Sequence, residues 1–181
     1  MAASKIQVEN LPVKHSKEVF LLQLVSQLSK TLEDVVGLED AEGFISLVGT
    51  RIGKLLNADY HTASCVNESF DLETVARVLV DLKHRIDGNF KIDSLSPDKI
   101  VLLNSRCPFG DKVIGKPSLC MMTSNVFGRI TADNLGYAKV ELDETIAKSD
   151  GRCRIVIHLV YEQAEDNSAR EYFQDTTSDR Q

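Results

Sequence analysis

Three cysteines in the second half of the chain are the residues best suited to chemistry. Cys107 follows a predicted strand, Cys120 opens a predicted helix, and Cys153 begins another predicted strand. A loop, a helix start and a strand start can all lie at one end of a small sheet. We therefore expect the three thiols to cluster there, with Cys65 outside the cluster. Because thiolates are soft ligands that select zinc or an iron–sulfur cluster, the pattern predicts a metal site at Cys107, Cys120 and Cys153.

The spacing of these cysteines leaves other interpretations open. They are separated by 12 and 32 residues, unlike the compact pairs typical of structural zinc sites. Free cysteines are often buried as small apolar side chains, so core packing, a thiol redox role or a ligand contact would fit as well. His158 is the nearest candidate for a fourth ligand. It lies five residues after Cys153 in the same predicted strand, so its side chain should point to the opposite face of the sheet.

Apolar residues on one predicted helix are candidates for a ligand pocket. Met122 adapts to irregular apolar shapes, and Phe127 lies on the same helix, although residues at this spacing are equally typical of a core. The nearby carboxylates Glu141, Asp143 and Glu144 fit a solvated hairpin better than a catalytic carboxylate pair. The sequence contains no nucleophile elbow and no phosphate-binding loop. We therefore predict that the protein is not an enzyme.

Composition and charge exclude several classes of protein. The 181-residue chain has a formal net charge of −6, and four of those negative charges lie from Glu162 onward. The rest of the chain is close to neutral and has no basic surface for phosphate backbones, so we expect no nucleic-acid binding. No apolar run approaches the roughly 20 residues that span a bilayer, and the N-terminus lacks the apolar region of a signal peptide. We expect a cytoplasmic protein with reduced thiols.

The periodicity of apolar residues predicts one domain of the α+β class. Residues 1–15 are predicted to be a flexible leader, residues 16–162 the domain, and residues 163–181 an acidic disordered tail. Three helices should be followed by a ββαββ unit, giving a four-stranded antiparallel sheet packed with helices. Ser16 and Asp71 are suitable N-caps for the first and third helices. Residues 59–67 are predicted to form a loop.

The first two predicted helices carry more apolar surface than one sheet can cover. The first has a stripe at helical spacing with further apolar residues beside it; the stripe consists of Leu21, Val25, Leu28, Leu32 and Val35. The apolar face of the second consists of Phe44, Leu47, Val48, Ile52, Leu55 and Leu56. Gly49 and Gly53, one turn apart on the second helix, would allow a close helix contact. The excess apolar surface predicts a homodimer formed through the helices.

Four segments together resemble a known superfamily. The segment 44–56 resembles the second helix of four-vinyl-reductase-like domains and of the TRAPP vesicle-tethering subunits. Cys-Pro-Phe at 107–109, Leu-Cys at 119–120 and Asp-Gly-Arg-Cys at 150–153 are most similar to the bacterial and archaeal methanogen output domain branch. This resemblance implies a non-enzymatic regulatory or sensory module of bacterial signalling. It would sense a small apolar ligand or a cysteine-bound metal and act through a signalling protein in trans.

The same resemblance implies two alternatives. The chain could be a structural adaptor or dimerisation subunit of a larger assembly, as the tethering subunits are. In those relatives a cysteine near the start of the third helix can carry a fatty acyl chain. Cys65 lies close to that place, but Ser69 is nearer to the motif, so the register does not match. A loop cysteine without a special role is the other interpretation of Cys65.

Overall fold

The computed structural model of the protein describes residues 16–161 and 169–175, which form four α-helices and five strands. The helices are α1 (Lys17–Val36), α2 (Leu38–Ser64), α3 (Leu72–His84) and α4 (Ser118–Leu135). The strands are β1 (Phe90–Ser96), β2 (Lys99–Asn104), β3 (Tyr137–Glu144), β4 (Cys153–His158) and β5 (Arg170–Phe173). The predicted α+β class and the order of helices and strands are confirmed. The leader, residues 1–15, lies outside the described residues.

Side-chain caps fix the starts of two helices as the sequence predicts. The Ser16 hydroxyl accepts a hydrogen bond from the Val19 N–H at 3.2 Å, and the Asp71 carboxylate accepts one from Thr74 N–H at 2.8 Å. α2 is longer than predicted, because it continues through most of the expected loop at 59–67 and ends at Cys65, which has φ 55°. Neither α2 nor any other helix in the described part of the chain is long and apolar enough to cross a bilayer.

The sheet is antiparallel, with strand order β1-β2-β4-β3-β5. It has one strand more than the four predicted, because Arg170–Phe173, within the predicted acidic tail, pair with β3. Tyr172 explains why this short segment is a strand. Its ring is buried under α4, where a β-carbon at Gly128 would lie 2.1 Å from it, and its hydroxyl lies 3.1 Å from Ser124 Oγ. The contact of Tyr172 with α4 thus stabilises a strand that the charged sequence around it does not predict.

α4 is the central helix of the fold and packs between the sheet and α2. The core between α4 and the sheet includes Phe127, Ile130, Ile155 and Ile157. On the other side of α4, Gly49 and Gly53 of α2 lie against it so closely that β-carbons there would come within 3 Å of its side chains. The predicted close helix contact is confirmed, and α2 and α4 form its two sides.

α1 buries two serines against the protein and leaves many of its large apolar side chains exposed to solvent. The side chains that it buries are Ser26 and Ser29; Lys116 donates to the first, and the second lies 2.7 Å from Ser118 Oγ. By contrast, Leu28 is 60% exposed and Val35 is 75% exposed. Large apolar side chains that α1 and α2 leave exposed are Phe20, Leu21, Leu24, Leu28, Val35, Leu38, Phe44, Leu47, Val48 and Leu55; we call these the outer apolar face. Most residues of the two predicted apolar stripes therefore do not pack on the core of this chain.

Candidate functional site

A cavity of about 310 Å³ lies between α3, α4 and the end of the sheet where β2 ends and β4 begins. Its wall is largely apolar. The apolar side chains that line it come from every surrounding element and include Ile52, Leu56, Leu82, Ile86, Phe90, Phe109, Val113, Leu119, Met122, Val126, Leu142 and Ile155. Polar atoms enter this wall at a few positions, which are Lys83, Asn104, Thr123, Thr145 and three thiols. Such a cavity suits a small apolar molecule that is oriented by a few polar contacts.

The three predicted cysteines all line this cavity. Cys107 lies in the loop after β2, Cys120 in the first turn of α4, and Cys153 at the start of β4. The pairing of β2 with β4 places Cys153 opposite Asn104, the last residue of β2. Cys65 is exposed at the end of α2 and does not line the cavity. The structure therefore brings together the three thiols that the topology predicted and leaves Cys65 apart.

Asn104 and the β3–β4 connection position Cys153. The Asn104 side-chain oxygen accepts backbone N–H groups of Asn89 and Arg106, both at 3.0 Å, while its amide nitrogen lies 4.0 Å from Cys153 Sγ. The backbone N–H of Ile146 donates to Cys153 Sγ at 3.5 Å. These donors fix the Cys153 sulfur at the cavity wall.

Burial makes two of the thiols poor nucleophiles. It raises the pKa of Cys120 to about 12, with the neighbouring Cys153 and Cys107 adding to the shift. Burial also raises the pKa of Cys107, which a backbone hydrogen bond from Phe109 partly opposes. Desolvation disfavours the thiolate, the form that attacks electrophiles and binds metals. At neutral pH these two side chains are therefore protonated thiols.

The predicted zinc or iron–sulfur site stays a prediction. Among the described residues, no group of three or more His, Cys, Asp or Glu side chains is arranged to hold a metal ion. His158, considered as a fourth ligand, lies 3.3 Å from the Glu141 carboxylate and does not line the cavity. Because Cys153 does line it, the two ends of β4 present their side chains to opposite faces, as strand alternation requires.

Of the two residues predicted to bind a ligand, one lines the cavity. Met122 is part of the wall. Phe127 is fully buried behind it and packs edge-on against Phe90, with ring centroids 5.6 Å apart. Phe127 thus supports the wall that Phe90 presents to the cavity.

Lys83 is the residue of this site that sequence reasoning missed. It lies on α3, lines the cavity and is 7% exposed. Its ammonium donates to Thr123 Oγ1 at 2.8 Å and lies 5.2 Å from the centre of the Phe127 ring. Burial lowers the pKa of Lys83 from 10.5 to about 8, although the three thiols act in the opposite direction. The sequence did contain a signal for its burial. Lys83 follows Val75 and Leu79 at intervals of four residues, so it lies on a helix stripe that is otherwise apolar.

Comparison with known proteins supports the resemblance seen in the sequence. No curated protein is similar enough to count as a match. The fold is similar to the crystal structure of a trafficking protein particle complex subunit 3 from Naegleria fowleri covalently bound to palmitic acid. The TM-score is 0.57 and the identity 13%, over 87% of this chain and 97% of that chain, so this similarity shows the fold alone. The sequence profile described as methanogen output domain 1 matches residues 24–158, most of the chain, and the protein therefore belongs to the methanogen output domain 1 family.

Proposed function

We propose that this chain is a non-enzymatic sensory module that binds a small apolar molecule in the cavity and passes the bound state to a signalling protein in trans. Membership in an output-domain family indicates a regulatory module of signalling. The observation that carries the proposal is the apolar cavity bounded by α3, α4 and the sheet. Its volume of about 310 Å³ is at the small end of the range for ligand pockets.

Two of the three thiols of the cavity support binding more than nucleophilic catalysis, which needs an activated nucleophile. Burial moves the pKa of Cys120 to about 12 and raises that of Cys107, which opposes nucleophilic attack by either sulfur. The remaining wall is mainly aliphatic and aromatic, which favours retention of an apolar guest by the hydrophobic effect.

One helix offers a route from the cavity to the outer apolar face. Met122 of α4 lines the cavity, while its backbone lies against Gly49 of α2. A guest that displaces the Met122 backbone would therefore disturb the tight contact between α4 and α2. The opposite side of α2 exposes Leu47, Val48 and other members of the outer apolar face. Packed interiors transmit such displacements because they have little free volume.

Binding of a neutral apolar probe tests the proposal. We expect 1-octanol to bind the full chain in isothermal titration calorimetry with a negative heat-capacity change, the mark of apolar burial. Ile86→Trp should fill the mouth of the cavity, because Ile86 lines it and is half exposed, and should weaken binding at least tenfold. Ile92→Trp, at an exposed position of β1 outside the cavity, is the matched control and should bind as the wild type does.

Two results would redirect the proposal. Equal binding by the Ile86→Trp and wild-type proteins would show that the probe binds elsewhere. Stoichiometric zinc or iron in the purified protein, lost on Cys→Ser substitution, would instead support the cysteine-bound metal as the input, because such metals are coupled to folding.

A structural adaptor that forms a homodimer is the second candidate function. α1 buries serines and exposes leucines, an arrangement that leaves its apolar side to another surface. Large exposed apolar surfaces mark interaction sites in soluble proteins. We propose a second copy of this chain as the partner, with the two outer apolar faces packed together. This pairing is compatible with ligand binding, since the residues of the outer apolar face are not among those that line the cavity.

A further inference from the structure

In the described part of the chain, Lys83 places a buried cation in the wall of an apolar cavity with no carboxylate at ion-pair distance. Among residues 16–161 and 169–175, the ion pairs within 4 Å do not include Lys83. From this arrangement we infer that the ligand of the cavity is a small amphiphilic acid, whose anionic head binds the Lys83 ammonium and whose apolar body fills the rest of the space. The inference deepens the proposed binding function and rests on it.

The contacts of Lys83 within the protein do not compensate a positive charge. An ammonium group has three N–H donors, and one of them is used by Thr123 Oγ1. The rings of Phe127 and Phe90, with centroids 5.2 and 5.7 Å from Nζ, add a weaker attraction. Buried charges in proteins are normally paired, because an unpaired one costs a large desolvation free energy. In this geometry a bound ligand can serve as the counter-ion of the Lys83 ammonium.

The thiols around Lys83 do not take that place. The titratable groups that face it are Cys107 from the loop after β2, Cys120 from α4 and Cys153 from β4. Burial raises the pKa of both Cys107 and Cys120, which keeps these two side chains neutral at pH 7. The Cys153 sulfur accepts the Ile146 N–H and lies 4.0 Å from the Asn104 amide nitrogen, whereas the side-chain acceptor of the Lys83 ammonium among the described residues is Thr123 Oγ1. A carboxylate is a stronger acceptor for an ammonium group than any neutral thiol.

The size of the cavity limits the body of the ligand. At the roughly 30 Å³ that one water or a group of similar size occupies, about 310 Å³ holds roughly ten non-hydrogen atoms. Leu82, Phe90 and Ile155 offer apolar contacts in the same wall, and Lys83 is the one cationic side chain among the described residues that line the cavity. The chemistry therefore fits a monoanion with one short aliphatic or aromatic body, such as octanoate, better than a polyanion or a sugar.

A matched pair of probes tests this inference by titration calorimetry at pH 7. Octanoate and 1-octanol have the same chain and differ in the charge of the head. We expect the wild-type protein to bind octanoate at least about tenfold more tightly than 1-octanol, which corresponds to about 1.4 kcal/mol. Lys83→Met keeps an unbranched side chain that is one atom shorter and has no charge, and should weaken octanoate binding at least tenfold while leaving 1-octanol binding unchanged or tighter. Lys91→Met, at an exposed position of β1, should behave as the wild type does.

The possible results separate this inference from the proposed function. If the wild-type protein binds 1-octanol as tightly as octanoate, the inference of an acidic head group is wrong, while the proposed binding of an apolar molecule in the cavity is still supported. A preference for octanoate that survives in Lys83→Met would place the anion elsewhere and overturn the role of Lys83. If neither probe binds, the proposed function fails and this inference fails with it. Circular dichroism of Lys83→Met establishes that any loss is not a loss of fold.

Discussion

Gly49 of α2 lies so close to Asn125 of α4 that a β-carbon at position 49 would stand 2.7 Å from the Asn125 Cβ. The same position would be 3.3 Å from the Met122 carbonyl oxygen. Asn125 reinforces the contact, because its side-chain nitrogen donates to Ser46 Oγ of α2 at 3.0 Å and to the Met121 carbonyl at 2.7 Å. The absence of a side chain at Gly49 thus determines how closely α2 approaches the helix that lines the cavity.

Gly49→Ala should destabilise the protein by about 1–3 kcal/mol, the usual cost of overpacking a rigid contact. Both atoms nearest to the new methyl group belong to the helix and cannot move independently. Urea unfolding followed by circular dichroism at one fixed protein concentration measures the change.

Gly43→Ala on the same helix is the control for this substitution. A β-carbon there meets nothing within 4 Å. Alanine should therefore stabilise the protein by up to about 1 kcal/mol through helix propensity alone. Equal effects of the two substitutions would show that α2 does not pack on α4 in the way described.

The predicted fold follows from local signals wherever those signals agree with the tertiary contacts. Ser16 and Asp71 cap helices because an acceptor side chain precedes an amphipathic run, and this can be recognised without a structure. α2 runs through the predicted loop because residues 59–64 contain neither glycine nor proline and nothing local stops the helix. β5 could not be predicted, since its place depends on the fit of Tyr172 against Gly128.

The outer apolar face predicts a homodimer at micromolar concentration. Leu24 and Leu28, one turn apart on α1, are among its exposed side chains. The double substitution Leu24→Glu with Leu28→Glu should give a folded monomer, because four added carboxylates in a dimer would meet in a desolvated interface. Light scattering measures the mass, and circular dichroism checks the fold.

Leu95→Glu provides the control for the dimer, since Leu95 is partly exposed on the edge strand β1. It should leave the mass of the wild-type assembly unchanged. A wild-type protein that is monomeric at micromolar concentration would contradict the homodimer and would leave the outer apolar face to a different partner.

The four thiols should differ widely in their rates of alkylation by iodoacetamide at pH 8. Cys65 is exposed and should react first. Cys120 should react last, because a thiol with a pKa of about 12 is thiolate in about one molecule in ten thousand at that pH. Peptide mass spectrometry after timed quenching gives the rate at each position. In 8 M urea, roughly the concentration that unfolds most domains, the four rates should become similar. Modification of Cys120 as fast as Cys65 in the folded protein would show that the cavity is open to water.

The candidate site could be predicted in part, for a topological reason. Cys107 and Cys153 flank paired strand ends, so antiparallel pairing of β2 with β4 is enough to bring them together. The place of Lys83 depends on Thr123 of α4, which is 40 residues away and accepts its hydrogen bond. A charged residue on an apolar stripe is usually at the edge of that stripe, with its ammonium in water. That Lys83 is instead enclosed follows from the packing of α3 against α4, which its sequence spacing does not reveal.

Lys83→Met should stabilise the protein without ligand, and the gain should shrink as the pH rises. In the wild-type protein burial lowers the pKa of Lys83 from 10.5 to about 8, so the unfolded chain binds this proton more tightly than the folded one. The loss of unfolding free energy caused by the buried charge is complete below pH 8, where it amounts to about 3 kcal/mol. It declines between pH 8 and 10.5 as the unfolded state also loses the proton. Cys107 and Cys120 have raised pKa values and shift stability the opposite way above pH 9, and Lys83 itself lowers these two pKa values. The difference between the two urea-unfolding curves at pH 7 and 8.5, below the range in which the folded proteins ionise these thiols, therefore isolates Lys83. A difference that stays constant across this range would mean that Lys83 keeps its ordinary pKa and reaches water.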